Sequence, residues 1–475
     1  MAKEKGPEKE GAFGSSLLVF LIVAGVLGFG IIGLKLGAHI PLIIATMVVT
    51  IYGVILHIPL SELEASMWKS IKDSLVVLGI IMIVGTLIAN WILCGTIPYI
   101  IYLGLKAFNP GWFLGFVVVM CGILSSVTGS SWTTAGTIGI AFLGISGGLG
   151  IPLPMTAGAI CCGAFFGDKQ SPVSDYAIFA AGVTRVNIYR HCKNMLWTTG
   201  PAFLICIVLF FIIGAKYHTT GNVQAGEVDA LIQALEGMYN FNLLLWLPLI
   251  VLIATIFLKL PGIYTMFLAS ITGGIVALIT QGATLADVLN VMFNGFSAET
   301  GNAELNRIVN RGGMINMAYT LMLIMCALAM GGVLDRTKVL KKIVTKISGF
   351  IKNRIGLIMT TFVSCGILEF FAGDCYVAGY VTVKALEKKY DEMKIGRPVL
   401  SRTISDTFTL THPLTPWGIS GVFLAQTLGV PVSQYAPWYF LAFITPLFMI
   451  LWGIVGGKAT PVATEEELAE LQTGD

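Results

Sequence analysis

Gly163-Ala164-Phe165-Phe166-Gly167-Asp168-Lys169-Gln170-Ser171-Pro172-Val173-Ser174-Asp175 sets two carboxylates, a lysine, two hydroxyls and a proline in the middle of the apolar stretch Ile151 to Ala181. A helix of about 20 residues crosses ~30 Å of hydrocarbon, so the stretch is long enough to span a bilayer. Pro172 lacks a backbone donor and interrupts the helical ladder halfway. The stretch therefore reads as one discontinuous span, with freed carbonyls that must face a partner or a wet cavity.

The same theme returns in Leu400 to Leu428, where Ser405-Asp406-Thr407-Phe408-Thr409-Leu410-Thr411-His412-Pro413-Leu414-Thr415-Pro416-Trp417 interrupts a second apolar run. Two further stretches read as re-entrant hairpins. Trp112 to Leu149 is broken by the hydroxyl-rich and Gly-rich segment Ser125 to Thr137, and Gly356 to Val383 dips around Glu369-Phe370-Phe371-Ala372-Gly373-Asp374-Cys375-Tyr376. Full crossings are expected at Ser16 to Gly33, Ile40 to Leu56, Leu75 to Leu105, Leu196 to Ala215, Phe241 to Leu258, Ile263 to Thr280, Met314 to Leu334 and Pro437 to Val455. The first lacks a small-residue cleavage site and is expected to be retained.

Composition agrees. Of 475 residues, 56% are hydrophobic and 12% charged, which excludes a soluble cytosolic enzyme, and a net charge of +3 offers no basic surface for nucleic acid. Nine scattered cysteines have neither paired nor metal-ligand spacing and read as small core residues.

Charge placement orients the chain. With both hairpins returning to the side they entered, and both termini inside, 23 of the 29 basic residues fall on inside segments. Five (Lys35, Lys106, Lys216, Arg307 and Arg311) fall outside, and Lys169 lies within a span. This is the bias expected of cytoplasmic loops. The chain then divides into a cytoplasmic head (1–14), a first repeat (15–215), an extracytoplasmic linker (216–240), a second repeat of opposite orientation (241–456) and an acidic cytoplasmic tail (457–475). A shared register supports the division: Gly129 and Gly373, Trp132 and Tyr376, and Pro172 and Pro416 are each 244 residues apart. The expected fold is thus an all-α polytopic membrane protein of two inverted-topology repeats, each with a re-entrant helical hairpin and a discontinuous transmembrane helix. Such architecture marks many secondary transporters and puts the site at the repeat interface.

Five acids lie inside apolar or broken spans: Asp168, Asp175, Glu369, Asp374 and Asp406. An ionisable group at that depth is costly unless paired or wet, and its default reading is functional; the alternative is that each caps a half-helix or pairs with Lys169. Oxygens of Asp168, Ser171, Ser174 and Asp175, with unwound carbonyls, suit a small hard cation such as Na+, for which a proton can compete. Lys169 is expected to serve as the internal counter-ion of Asp168. Glu369 reads either as a functional acid or as a structural acid buried by Phe370 and Phe371. Hydroxyls at Ser126, Thr128, Ser130, Ser131, Thr133 and Thr134 either line the hairpin tip or bond their own helix backbone. His412, just before a break, either carries a proton or packs against a carbonyl, whereas His39, His57, His191 and His218 read as interfacial. No nucleophile elbow, zinc helix or phosphate loop is present, so neither hydrolysis nor ATP-driven pumping is expected, and the chain is not read as an enzyme.

At Gly129-Ser130-Ser131-Trp132-Thr133-Thr134-Ala135-Gly136-Thr137-Ile138-Gly139, at Gly163 to Asp175 and, more loosely, from Ser401 to Trp417, the chain resembles the NhaC-type Na+/H+ antiporter family. The likeness covers nearly the whole chain. It implies a multi-pass transporter of the bacterial cytoplasmic membrane, moving its cargo by an elevator motion of the hairpin-bearing part, with relatives that carry malate and lactate or amino acids. Ion or proton binding is then expected at Asp168, Ser171, Ser174, Asp175, Asp374 and Asp406, with Na+ at Asp168 and Asp175. A small organic anion or amino acid, if carried, would meet Ser130, Ser131, Thr133, Thr409, Thr411, His412 and Thr415. Na+ as coupling ion is the only small-molecule aid expected, with H+, membrane lipid and a second copy of the chain as partners. Tyr176, Gly418, Cys375 and His412 depart from the family pattern in ways that fit an organic substrate at least as well as bare Na+/H+ exchange.

Overall fold

Within hydrocarbon no water satisfies backbone N–H and C=O groups, so a long apolar run must close its hydrogen bonds within itself. The computed structural model describes residues 11–219, 225–258, 260–349 and 351–463, and the regular structure among them is accordingly helical, apart from one isolated bridge between Ile395 and Val462. Positions 1–10 of the expected head, 220–224 of the linker, and 464–475 of the tail lie outside the described residues.

In chain order the helices are α1 (Phe13–Gly28, prolonged by a π-turn at Phe29–Gly33), α2 (His39–Ile55), α3 (Leu60–Asp73), α4 (Leu75–Leu93), α5 (Thr96–Ala107), α6 (Pro110–Thr128), α7 (Ser131–Thr134), α8 (Ile140–Gly148), α9 (Leu153–Gln170), α10 (Asp175–Val183), α11 (Ile188–Thr219) and α12 (Ala225–Met238). They continue as α13 (Leu247–Phe257), α14 (Gly262–Thr280), α15 (Leu285–Asn294), α16 (Ala303–Val309), α17 (Met314–Arg336), α18 (Val339–Ser348), α19 (Arg354–Ala372), α20 (Cys375–Glu392), α21 (Arg397–Thr411), α22 (Ile419–Leu428), α23 (Val432–Tyr435) and α24 (Phe440–Val455). Among the described residues seven helices are long and apolar enough to cross a membrane, and two bent pairs would bring the number to nine. The molecule is a multi-span membrane protein.

The 244-residue register extends well beyond the three residue pairs seen in the sequence. α6 begins at Pro110 and α19 at Arg354, 244 residues on, and they end at Thr128 and Ala372 with the same separation. That separation also relates the starts of α7 and α20, of α9 and α21, and of α10 and α22. The intervening turns match in detail. Gly129 (φ +67°) and Gly373 (φ +69°) both take the left-handed conformation that glycine adopts without steric cost. Their N–H groups donate to Ser125 and Glu369 carbonyls, each at 2.8 Å. The next residues, Ser130 and Asp374, cap the returning helices through Thr133 N–H at 3.1 Å and Val377 N–H at 2.9 Å.

One expected crossing is divided. Leu75 to Leu105 would make a helix of roughly 46 Å, longer than hydrocarbon is thick, and the chain instead stops α4 at Cys94-Gly95, with Gly95 at φ +87°, and starts the separate helix α5. The other half does the same when α18 follows α17. α6 packs on α9 and α11, and α19 packs on α21 and α24. Away from them, α4 packs on α14 while α17 packs on α2 and α3.

A Cβ at residue 129 would sit 2.8 Å from Val173 Cγ2 and 3.0 Å from Ser174 N, whereas Gly282, also left-handed at φ +68°, has open space around it. Gly282→Ala should therefore cost only the backbone strain of about 1–2 kcal/mol. Gly129→Ala should cost visibly more. Thermal unfolding of both variants in detergent checks this, and equal shifts would contradict the close approach of tip and break.

Candidate functional site

The first break is built by its own serines. α9 ends at Gln170, Ser171 is extended, and Ser174 caps α10 by accepting the N–H groups of Tyr176 at 3.2 Å and Ala177 at 3.4 Å. The same hydroxyl donates to Asp168 Oδ1, and Asp168 Oδ2 accepts Ser131 N–H at 2.9 Å. Asp168 thus joins the last turn of α9 to the tip of the α6–α7 hairpin. Ser130 Oγ also accepts from Thr133 Oγ1 at 3.0 Å. The buried Ser171 Oγ has no hydrogen-bond partner among the described residues.

Lys169 corrects the expected pairing. It is fully buried and reaches Asp406 Oδ1 at 3.2 Å, not Asp168, while Thr198 donates to Asp406 Oδ2 at 2.7 Å. The reason is helical geometry: neighbouring residues on a helix project about 100° apart, so the lysine next to Asp168 points away from it toward α21. His191, expected at an interface, is buried, with Nδ1 2.7 Å from Ser401 Oγ on α21.

The second break is built differently. α21 tightens into a 3₁₀ turn at His412–Leu414 before α22 starts after Gly418. His412 Nδ1 lies 3.0 Å from Ser420 Oγ and 3.3 Å from Tyr176 Oη, and Tyr176 Oη is 3.2 Å from Ser420 Oγ. Trp132 donates its indole N–H to Ser420 Oγ at 3.1 Å and stacks on Phe423 with ring centroids 4.6 Å apart. A polar cluster therefore bridges the two halves, from the first tip and α10 to the second break.

All four interruptions open onto one cavity of about 610 Å³. Asp168, Asp175, Ser130, Thr133, Asp374 and His412 of the expected site residues line it, together with Trp132, Tyr176 and Cys375. α4, α13 and α14 close its apolar side through Val76, Ile80, Phe257 and Met266. Ser131, Ser171 and Ser174 stand behind this wall against Asp168 or the break. Thr409, Thr411 and Thr415 bond their own helix at Ser405 O (2.6 Å), Thr407 O (2.9 Å) and Thr411 O (3.1 Å), and with Asp406 they are not among the lining residues. Of the residues that sequence reasoning missed, Tyr176 and Ser420 are themselves 244 apart, so pushing the register further could have found them; nothing in the sequence pointed to Thr198. The nine cysteines are unpaired, seven of them buried.

A model of the Na+/H+ antiporter family matches residues 163–457, which contain both breaks and the second tip. The chain belongs to that family. It is 36% identical over 463 residues to a Na+/H+ antiporter NhaC of Alkalihalophilus pseudofirmus, covering 97% of this chain and 99% of the relative. It is 32% identical to a malate-2H+/Na+-lactate antiporter of Bacillus subtilis (93% and 94% covered) and 32% identical to the arginine/ornithine antiporter ArcD of Halobacterium salinarum (98% and 97% covered). The family is one of transporters.

In this antiporter-family chain the Lys169–Asp406 pair ties α9 to α21 in a site with no exposure for either side chain. Removing one partner strands the other charge, so Lys169→Met should lower unfolding stability by about 3–5 kcal/mol, and Lys169→Met with Asp406→Leu should recover most of it. Denaturation of both variants in detergent measures the coupling. A single variant as stable as the wild type would show that the pair does not hold the two helices.

Proposed function

We propose that the chain exchanges Na+ for H+ across a bacterial cytoplasmic membrane. One observation carries this reading: carboxylates from the first break (Asp168, Asp175) and from the opposite tip (Asp374) line a single cavity, and the buried Ser171 Oγ of the same break has no hydrogen-bond partner among the described residues. Oxygen ligands of that kind suit Na+. We assign Na+ to Asp168 and Asp175, with Ser171 and Ser174 adding oxygens and Asp374 facing them. Asp406, neutralised by Lys169, acts as an anchor.

The matching helix boundaries, with reciprocal packing of α4 on α14 and α17 on α2, support two repeats, 15–215 and 241–456, related by inverted topology. Both tips and both breaks share one cavity, which supports hairpins that enter and return on one side of the membrane. In this reading the hairpins and broken helices move together past the framework of α2, α4, α14 and α17, and the chain pairs with a second copy in the lipid. Both termini face the cytoplasm, as the basic loops require.

The second reading is Na+-coupled movement of a small organic anion or amino acid. It is favoured by the cavity itself: about 610 Å³ is far more than a bare cation fills, and it falls in the range of small-molecule sites. The hydroxyl of Ser130, Thr133 and the ring of His412 supply polar contacts, with Trp132 and Tyr176 as walls. Thermal-shift measurements with dicarboxylates and amino acids, with and without Na+, separate the two readings.

Asp168→Asn keeps the size of the side chain, removes its charge and leaves one acceptor oxygen where the clamp uses two. We expect the variant to insert, and Na+-driven proton flux in proteoliposomes to fall to background, read with a pH-sensitive dye in the lumen. Undiminished flux would refute the assignment of Asp168.

A further inference from the structure

Glu369 sits on α19, one helical turn before the second tip, and its side chain is fully buried. It is absent from the cavity wall and takes no part in the Na+ site proposed above. Its Oε2 contacts Thr411 Oγ1 on α21, and its Oε1 has no partner. Thr411 Oγ1 also lies 2.9 Å from Thr407 O, the i−4 carbonyl of its own helix.

A hydroxyl carries one proton. Thr411 Oγ1 faces two acceptors, Thr407 O and Glu369 Oε2, with that one proton, so filling both contacts takes a second proton, which a protonated Glu369 supplies. With Glu369 ionised, one of the two contacts would be oxygen lone pair against lone pair, and a charged Oε1 would be buried without a donor, which is among the costliest arrangements in a protein interior. The groups that interact with Glu369 electrostatically are Asp374 and the thiols of Cys365 and Cys375, on α19 and at the start of α20. From α21 it meets the Thr411 hydroxyl, and among the described residues no cation from α17, α18, α20, α21 or α24 faces it. In the first half, 244 residues earlier, stands Ser125, whose hydroxyl donates to Ala164 O at 2.5 Å. The fold thus needs only a hydroxyl there, and the second half carries a titratable acid instead.

We infer that Glu369 holds a proton in this conformation and is the carrier of the exported or imported H+, at a site separate from the carboxylates that take Na+. Release is a simple ionisation once movement of the hairpin gives the site access to water: the carboxyl O–H breaks, the proton passes to that water, and a carboxylate remains until it is reloaded from the opposite side. Thr411 then turns its own proton from Thr407 O to the carboxylate, so the hydroxyl follows the charge. The inference rests on the Na+/H+ reading above and deepens it.

The test separates the two ions. Glu369→Gln replaces the acid by an amide that can still donate to Thr411 Oγ1. In proteoliposomes we expect its Na+-driven proton flux to fall at least about tenfold, while ²²Na+/Na+ self-exchange stays within about twofold of the wild type, because only the proton carrier is gone. Wild-type proton flux in this variant, or equal loss of both fluxes in properly inserted protein, would overturn the inference. If Glu369→Gln fails to insert, infrared spectra of the wild type and Glu369→Asp replace it: a protonated-carboxyl band at neutral pH that shifts between the two supports the assignment, and no shift refutes it. A wild type lacking both fluxes would instead sink the Na+/H+ reading itself.

Discussion

A backbone that leaves the helix at membrane depth frees N–H and C=O groups that water cannot reach, and every feature of this site follows from how those groups are satisfied. Asp168 is the centre of the solution. It accepts one N–H from the hairpin tip and a hydroxyl proton from Ser174, which in turn caps α10. One carboxylate therefore holds a break and a tip together, and brings a negative charge to the cavity wall in doing so. The clamp and the proposed ion ligand are the same side chain, so cargo binding at Asp168 bears directly on how the tip is held.

The charges divide into those that hold the fold and those left facing the cavity. Lys169 and Asp406 are buried, paired and supported by Thr198, an arrangement in which each charge answers the other. Because this pair absorbs the only lysine of the break, Asp168, Asp175 and Asp374 face the cavity without a salt-bridge partner among the described residues. Asp374 lies at the amino terminus of α20 and caps it, where the partial positive charge of a helix end favours a carboxylate.

The two halves share geometry more closely than chemistry. Ser130 and Asp374 cap corresponding helices after left-handed glycines, but one is a hydroxyl and the other an acid; Asp168 and His412 occupy matching places before the breaks, with opposite character. Backbone shape is thus repeated while the polar groups it presents are free to differ. The relatives of this chain are named for Na+/H+, malate/lactate and arginine/ornithine exchange.

Helix content, the places where helices break and four of the five acids inside the spans (Asp168, Glu369, Asp374 and Asp406 are buried, Asp175 is exposed) could be read directly from the sequence, because apolar run length and proline position act locally and need no partner. The ends of α6, α9, α19 and α21 were legible for the same reason, and the 244-residue register already hinted at their correspondence. What could not be read was pairing. Lys169 adjoins Asp168 in sequence yet bonds Asp406, and Thr411, expected at a substrate, bonds its own helix and Glu369. Tyr176 and Trp132 meet Ser420 across the two halves. Which atoms meet depends on the rotation of each helix about its axis and on which helices cross, and both are settled only when many distant faces pack at once. The amino-acid order determined where backbone would be left unsatisfied; the tertiary structure decided which side chains would satisfy it, since hydrogen bonds form between neighbours in space.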